Sequence, residues 1–153
     1  MTLTTMVLKM SEGFGKTCAI FFLTLLFSLP LGMLVALLRM SKNRFVSTLT
    51  RFVISILRGT PLMLQLIVVF FMPYYVFGIK LTANWRIYAA LIGFSVNYAA
   101  YFGEIFRAGI QSVPIGQHEA SEVLGFTKVQ TFCKIIFPQM VKRVVPPVTN
   151  EVI

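Results

Sequence analysis

Few residues in this chain have both the type and the spacing that chemistry requires. Gly15-Lys16-Thr17 has the ending of a phosphate-binding loop, but the first glycine of G-x-x-x-x-G-K-[ST] would fall on Met10. An uncharged block follows it, so the strand–loop–helix context is missing as well. His118 is the single histidine, and the chain has no Asp to orient it and no Ser or Cys placed for attack. Cys18 and Cys133 lie in different contexts without metal-ligand spacing, and read as small apolar packing residues. What remains is a set of polar groups in apolar surroundings. Gln65 is one; Asn97 and Glu104, seven apart on one helix face with Tyr101 between them, are others; Thr24 and Ser28 stand at i, i+4. Such groups are costly inside a membrane and mark pathways or internal pairs. Glu104 can equally pair with Arg107 at i, i+3, or with Arg58 across two spans. Ser95, Ala99 and Gly103 form a small-residue stripe that permits close helix packing.

The elements that must position these groups follow from composition. The chain has 153 residues, 57% hydrophobic and 12% charged, against about 25% charged in an ordinary soluble domain. A disordered tail, a collagen-like fibre and a disulfide-stapled secreted module are excluded. The length fits one domain. The apolar residues fall in blocks over 18–38, 59–79 and 87–106, the last interrupted only by Glu104. Roughly 20 residues cross a hydrocarbon core of about 30 Å, so three helical spans are expected. Pro30 is tolerated inside the first, and Pro61 stands where the second can start. The first block exceeds a signal-peptide core and lacks its cleavage pattern. The N-terminal 16 residues read as an exposed tail or an interfacial helix.

Fourteen Lys and Arg against five acids give a net charge of +9. Arg39, Lys42, Arg44, Arg51 and Arg58 separate blocks one and two; only Lys80 and Arg86 separate blocks two and three; Arg107, Lys128, Lys134, Lys142 and Arg143 follow. Basic residues near span ends mark the cytoplasmic side. The N-terminus is therefore expected outside, the loop over 39–58 inside, and the region after Arg107 inside. Nucleic-acid binding is not expected, because these basic loops lack interleaved aromatics.

After the turn-rich 112–116, residues 117–124 can form two helical turns with Ala120, Val123 and Leu124 on one face and Glu119 and Glu122 off it. Gly125 is a natural C-cap. Thr127-x-x-Gln130 is a capping-box pattern for a second helix. That helix has Val129, Phe132, Cys133, Ile136 and Phe137 as a stripe, interrupted at Pro138. Two short amphipathic helices joined by a glycine corner form either a docking element or a membrane-surface pair.

The stretch 119–138 resembles the EAA motif of ABC-importer permeases, with Glu119, Ala120, Gly125 and Ile135-Ile-Phe137-Pro138 at the matching positions. Ser121 stands where the motif usually has Ala. Arg58-Gly-Thr-Pro61-Leu62 and the run from Tyr98 through Gly103-Glu104 and Arg107 to Pro114 are similar to the polar amino-acid branch of that family.

The resemblance implies an all-α integral membrane fold, a multi-span helical bundle of the type I ABC importer permease kind, with three spans visible. Because the chain stops at Asn150-Glu151-Val152-Ile153, a C-terminal truncation is expected. It further implies a bacterial inner-membrane subunit that pairs with a second copy or a related permease. An ATPase dimer would sit inside, an extracytoplasmic amino-acid-binding protein outside, and membrane lipid around. ATP and Mg would be held by the ATPase, and no cofactor by this chain, which is not itself an enzyme. The coupling region over about 109–140 would carry Gln117, Glu119, Ala120, Ser121 and Gly125 as ATPase-contacting or loop-shaping residues. For a zwitterionic amino acid, Gln65, Asn97, Tyr101 and Glu104 are the candidate substrate path. The other class of function is a membrane protein that only assembles or regulates; a carrier independent of ATP would have no reason to keep a coupling element.

Overall fold

The computed structural model describes residues 3–82 and 84–153. α1 runs over Leu3–Arg39, α2 over Arg44–Gly59, α3 over Leu62–Phe77 and α4 over Trp85–Gln111. α5 covers Ile115–Val123, and α6, Lys128–Thr131, passes through a π-helical turn at Phe132–Ile136 into α7, Phe137–Val152. No strand occurs among the described residues.

α1 is one unbroken helix of 37 residues with Pro30 inside it. The expected separate N-terminal segment is absent from residue 3 onward; residues 1 and 2 lie outside the described region. No proline or polar capping run stops the helix, and residues 4–17 are exposed all round. Ser11 and Thr17 return their hydroxyls to the helix's own carbonyls, and Lys16 pairs with Glu12 at 2.6 Å.

The loop expected over 39–58 is also a helix. Asn43 caps α2 by accepting the Phe45 N–H at 3.0 Å, an N-cap that offsets one of the open first-turn donors. α2 then stops because Thr60 precedes proline and is held extended, at φ −109° and ψ 142°. Pro61 opens α3, so the second apolar block begins its helix at Leu62 and turns 107° from α2. α3 ends at Gly78, whose φ of +66° is left-handed. By length and composition, α1 is apolar enough to cross a membrane, as is the α2–α3 pair if it forms one broken span.

α4 is the central element and extends past the expected block to Gln111. Its small residues fulfil the packing expectation: Ser95, Ala99 and Gly103 are all buried. A Cβ on Gly103 would lie 2.5 Å from Val35 Cγ1, and one on Gly32 would lie 2.7 Å from the Phe102 Cβ. Two glycines thus let α1 and α4 approach to backbone contact, where dispersion substitutes for the weak hydrophobic drive in lipid. At the end holding Arg39 and Gln111, Ala36, Phe102, Phe106, Ile110, Ile136, Met140 and Val144 form the core. Outward, Phe22, Leu26, Leu34, Met63, Val68 and Tyr75 are exposed, as a lipid-facing surface requires.

The interruption expected at Pro138 takes the form of the π-helical turn just before it, and the helix continues beyond. Proline lacks the N–H and its ring crowds the carbonyl four residues back. The π-turn changes the local bonding: the Phe137 N–H donates to the Phe132 carbonyl, five back. One extra residue per turn also rotates the buried side. Thr131, Ile136, Met140 and Val144 face inward, while Val129, Cys133 and Phe137 of the expected stripe are exposed.

Candidate functional site

The polar groups of α4 fall into three layers along one side of the helix. In the first, Gln65 Nε2 donates to the Leu57 carbonyl at 2.7 Å, and to Thr60 Oγ1 and the Thr60 carbonyl at 2.8 and 3.1 Å. Asn97 Nδ2 donates to Gln65 Oε1 at 3.0 Å and reaches the Leu57 carbonyl at 3.5 Å. The carbonyls at a helix end lack intrahelical partners. Two amides from α3 and α4 therefore satisfy the open end of α2 and hold the elbow against α4.

In the second layer the Arg58 guanidinium lies over the Tyr101 ring, 5.0 Å from its centroid, a cation–π contact that ties the elbow to α4. Arg58 is thus not the partner of Glu104. In the third, Arg107 donates Nε and Nη2 to Glu104 Oε2 at 2.9 and 2.7 Å. Arg39 Nε lies 3.6 Å from the other carboxylate oxygen, an ion pair without a hydrogen bond. Arg39 also holds the α1–α2 corner, donating to Ser47 Oγ at 3.1 Å while the Ser47 hydroxyl donates to its carbonyl at 2.8 Å. Asn97, Tyr101 and Glu104 therefore share one side of α4, with Gln65 of α3 set against Asn97, and each has partners inside the fold. Thr24 and Ser95 are buried with hydroxyls lacking a partner among the described residues, and Ser28 bonds its own helix.

The second candidate region is built on the glycine corner. Gly125 has φ +74°; its N–H donates to Glu122, and the Phe126 N–H donates to Ser121, both at 3.0 Å. This pair of bonds is a Schellman motif. Thr127 and Gln130 then close the expected capping box. The corner thus turns the chain sharply without leaving donors open.

The face that points outward is the one the spacing marked as apolar. Val123 is 88% and Leu124 73% exposed, and Ala120, Glu119 and Gln117 are exposed beside them. Only Ser121 is fully buried. Its hydroxyl donates to the His118 carbonyl at 2.6 Å and accepts from Thr131 Oγ1 at 3.0 Å. A further bond joins Gln139 Nε2 to Gln117 Oε1 at 3.1 Å. Ser121 therefore anchors α5 and does not present itself outward, whereas Glu119 and Ala120 do.

Three contributors were missed from sequence. Thr131 pairs with Ser121 from ten residues away, across a corner that helical periodicity does not bridge. Arg39 reaches Glu104 from another helix. Arg143 donates Nη1 to the Ser112 carbonyl at the end of α4. A polar residue on an otherwise buried face was the available signal for Thr131. A basic residue in the last turn of α1 was the signal for Arg39. No cluster of metal-ligating side chains occurs among the described residues.

The chain is similar to known proteins. Residues 28–153 match the family described as binding-protein-dependent transport system inner membrane component. A Rickettsia bellii protein carrying the name of a glutamine transport system permease, GlnP, is 40% identical over 147 residues, covering 96% of this chain and 66% of that one. The L-cystine transport system permease protein TcyB of Bacillus subtilis is 37% identical over 144 residues, covering 94% and 60%. The chain thus spans less than two thirds of the length of either relative. A crystal structure of an amino acid ABC transporter with histidines superimposes with a TM-score of 0.77 at 30% identity, covering 99% of this chain and 71% of that one. The helical fold is that of a type I ABC importer permease, and the chain belongs to the family of binding-protein-dependent transport inner membrane components.

Proposed function

We propose that the chain is the transmembrane permease subunit of an ATP-driven importer of polar amino acids, in which α5 is the coupling helix that seats on a separate ATPase. The observation that carries this reading is the outward set Glu119, Ala120 and Val123 on a helix fixed from behind by Ser121 and Thr131. A helix whose apolar side is solvent-exposed while its polar serine is buried is arranged for a partner. Ala120 permits close approach, and Glu119, unpartnered among the described residues, offers a charged contact.

Motion has a continuous route inward. α5 is bonded to Thr131, which leads into the π-turn, and Ile136 in that turn with Met140 and Val144 beyond it pack on the end of α4. ATP-driven closure of two ATPase subunits would shift α5 and, through this route, the spans, giving alternating access. ATP and Mg are assigned to the partner. The second permease copy or related subunit, the extracytoplasmic amino-acid-binding protein, the external N-terminus and the cytoplasmic corner belong to the same reading. The support for an amino-acid substrate is what the relatives' names say of them.

Reconstitution with the ATPase and binding protein is expected to give ATP hydrolysis that an amino acid stimulates. Association without stimulation would replace this reading by an assembly or regulatory role. We place the substrate path along the α4 side bearing Asn97, Tyr101 and Glu104, with Gln65 of α3 facing it. Gln65→Ala and Asn97→Ala are expected to alter uptake affinity or selectivity severalfold; uptake unchanged in both removes them from the path.

A further inference from the structure

α2 has three distinct sides. Val46, Thr50, Ile54 and Leu57 turn inward and are buried or half-buried. On the opposite side Phe45, Leu49, Phe52 and Ile56 are 74%, 51%, 63% and 47% exposed. Between the two, Arg44, Arg51 and Arg58 recur at seven-residue intervals, which keeps them in one row that drifts about 20° per step. The row is about 21 Å long at 1.5 Å per residue. None of the three has a carboxylate partner among the described residues, and only Arg58 is engaged, over Tyr101.

A helix crossing hydrocarbon would leave these arginines unpaired in a medium that penalises them. A helix lying in the interface satisfies both sides at once, with apolar residues among the upper acyl chains and arginines at headgroup level. The 107° turn at Thr60-Pro61 takes α2 out of line with α3 and permits this. Charge selects the occupant: residues 39–58 contain five basic residues and no acid, and Arg39 is already committed to Glu104. We infer that α2 lies in the membrane–water interface and that Arg44 and Arg51 bind the phosphates of anionic lipid headgroups. The inference rests on the chain's membrane family and not on the docking of α5.

The test is native mass spectrometry of the full chain released from micelles containing phosphatidylglycerol and phosphatidylcholine of the same acyl composition. The wild type is expected to retain phosphatidylglycerol in preference. The double variant Arg44→Gln, Arg51→Gln is expected to weaken that retention about thirtyfold, at the usual worth of two interfacial arginines, and to leave phosphatidylcholine unchanged. Arg44→Lys with Arg51→Lys should keep most of the preference. Equal retention of the two lipids by the wild type overturns the inference, as does a double variant with wild-type preference. Disulfide formation between copies through Phe52→Cys, in a chain lacking Cys18 and Cys133, would assign the face to a second copy instead. If the double variant does not fold, the wild-type comparison still decides.

Discussion

Gly125→Val is expected to abolish association with the ATPase partner while the chain still inserts in the membrane. The cause is backbone and not crowding, since a Cβ at Gly125 would meet nothing within 4 Å. Its φ of +74° is left-handed, which costs an ordinary L-residue about 1–2 kcal/mol and a β-branched one more. Relaxing that strain breaks the two bonds that end α5, from Phe126 to Ser121 and from Gly125 to Glu122. Ser121 and Thr127 would then lose their register with Thr131 and Gln130, and α5 its fixed angle. Gly116 is the internal control. It lies in α5 with open space and without a positive φ, so Gly116→Ala should leave association intact and firm the helix by about 0.5–1 kcal/mol. Co-purification with a tagged ATPase reads both. Gly125→Val recovered at wild-type yield would sink the assignment.

Glu104→Gln should destabilise the bundle itself. The carboxylate is the only acid between Arg39 and Arg107, and its side chain is 21% exposed. Removing one member of a fully buried pair costs about 3–5 kcal/mol, whereas exposed pairs are worth under about 1 kcal/mol. A group one-fifth exposed belongs between these, at about 2–3 kcal/mol, because two arginines lose one shared anion. Arg39→Gln should cost less, since Glu104 keeps both of its bonds to Arg107. Denaturant unfolding in micelles measures the order. A Glu104→Gln loss below about 0.5 kcal/mol, or Arg39→Gln as the worse variant, would contradict the shared-anion account.

What could be read from the sequence was local or periodic. The α1 block, the small-residue stripe of α4, the glycine corner and the Thr127–Gln130 box each depend on neighbours within about one turn, or on one repeated spacing. Of the two partners offered for Glu104, Arg107 at i, i+3 was of this kind and is the one found; Arg58 is taken by Tyr101. α2 was hidden because a search for uncharged runs discards a helix with an arginine every seventh residue, although that spacing is itself a helical signal. Pro138 marks an interruption, but the form it takes is hidden, because a bond to the fifth residue back leaves no mark in residue types. The inward turn of Ser121 was hidden by the same limit. Its partner Thr131 lies beyond the corner, so a departure from the usual alanine gave no sign of the hydroxyl pair that explains it.

In the proposed function, α5 meets the ATPase with the side bearing Val123 and keeps Ser121 turned away. Single cysteines placed at these two positions, in a chain with Cys18→Ala and Cys133→Ser, can be cross-linked to a co-expressed ABC ATPase in membranes. A cross-linked product is expected from Val123→Cys and none from Ser121→Cys, because the first is 88% exposed and the second fully buried. A product from Ser121→Cys alone, or none from either while the two subunits co-purify, would contradict it.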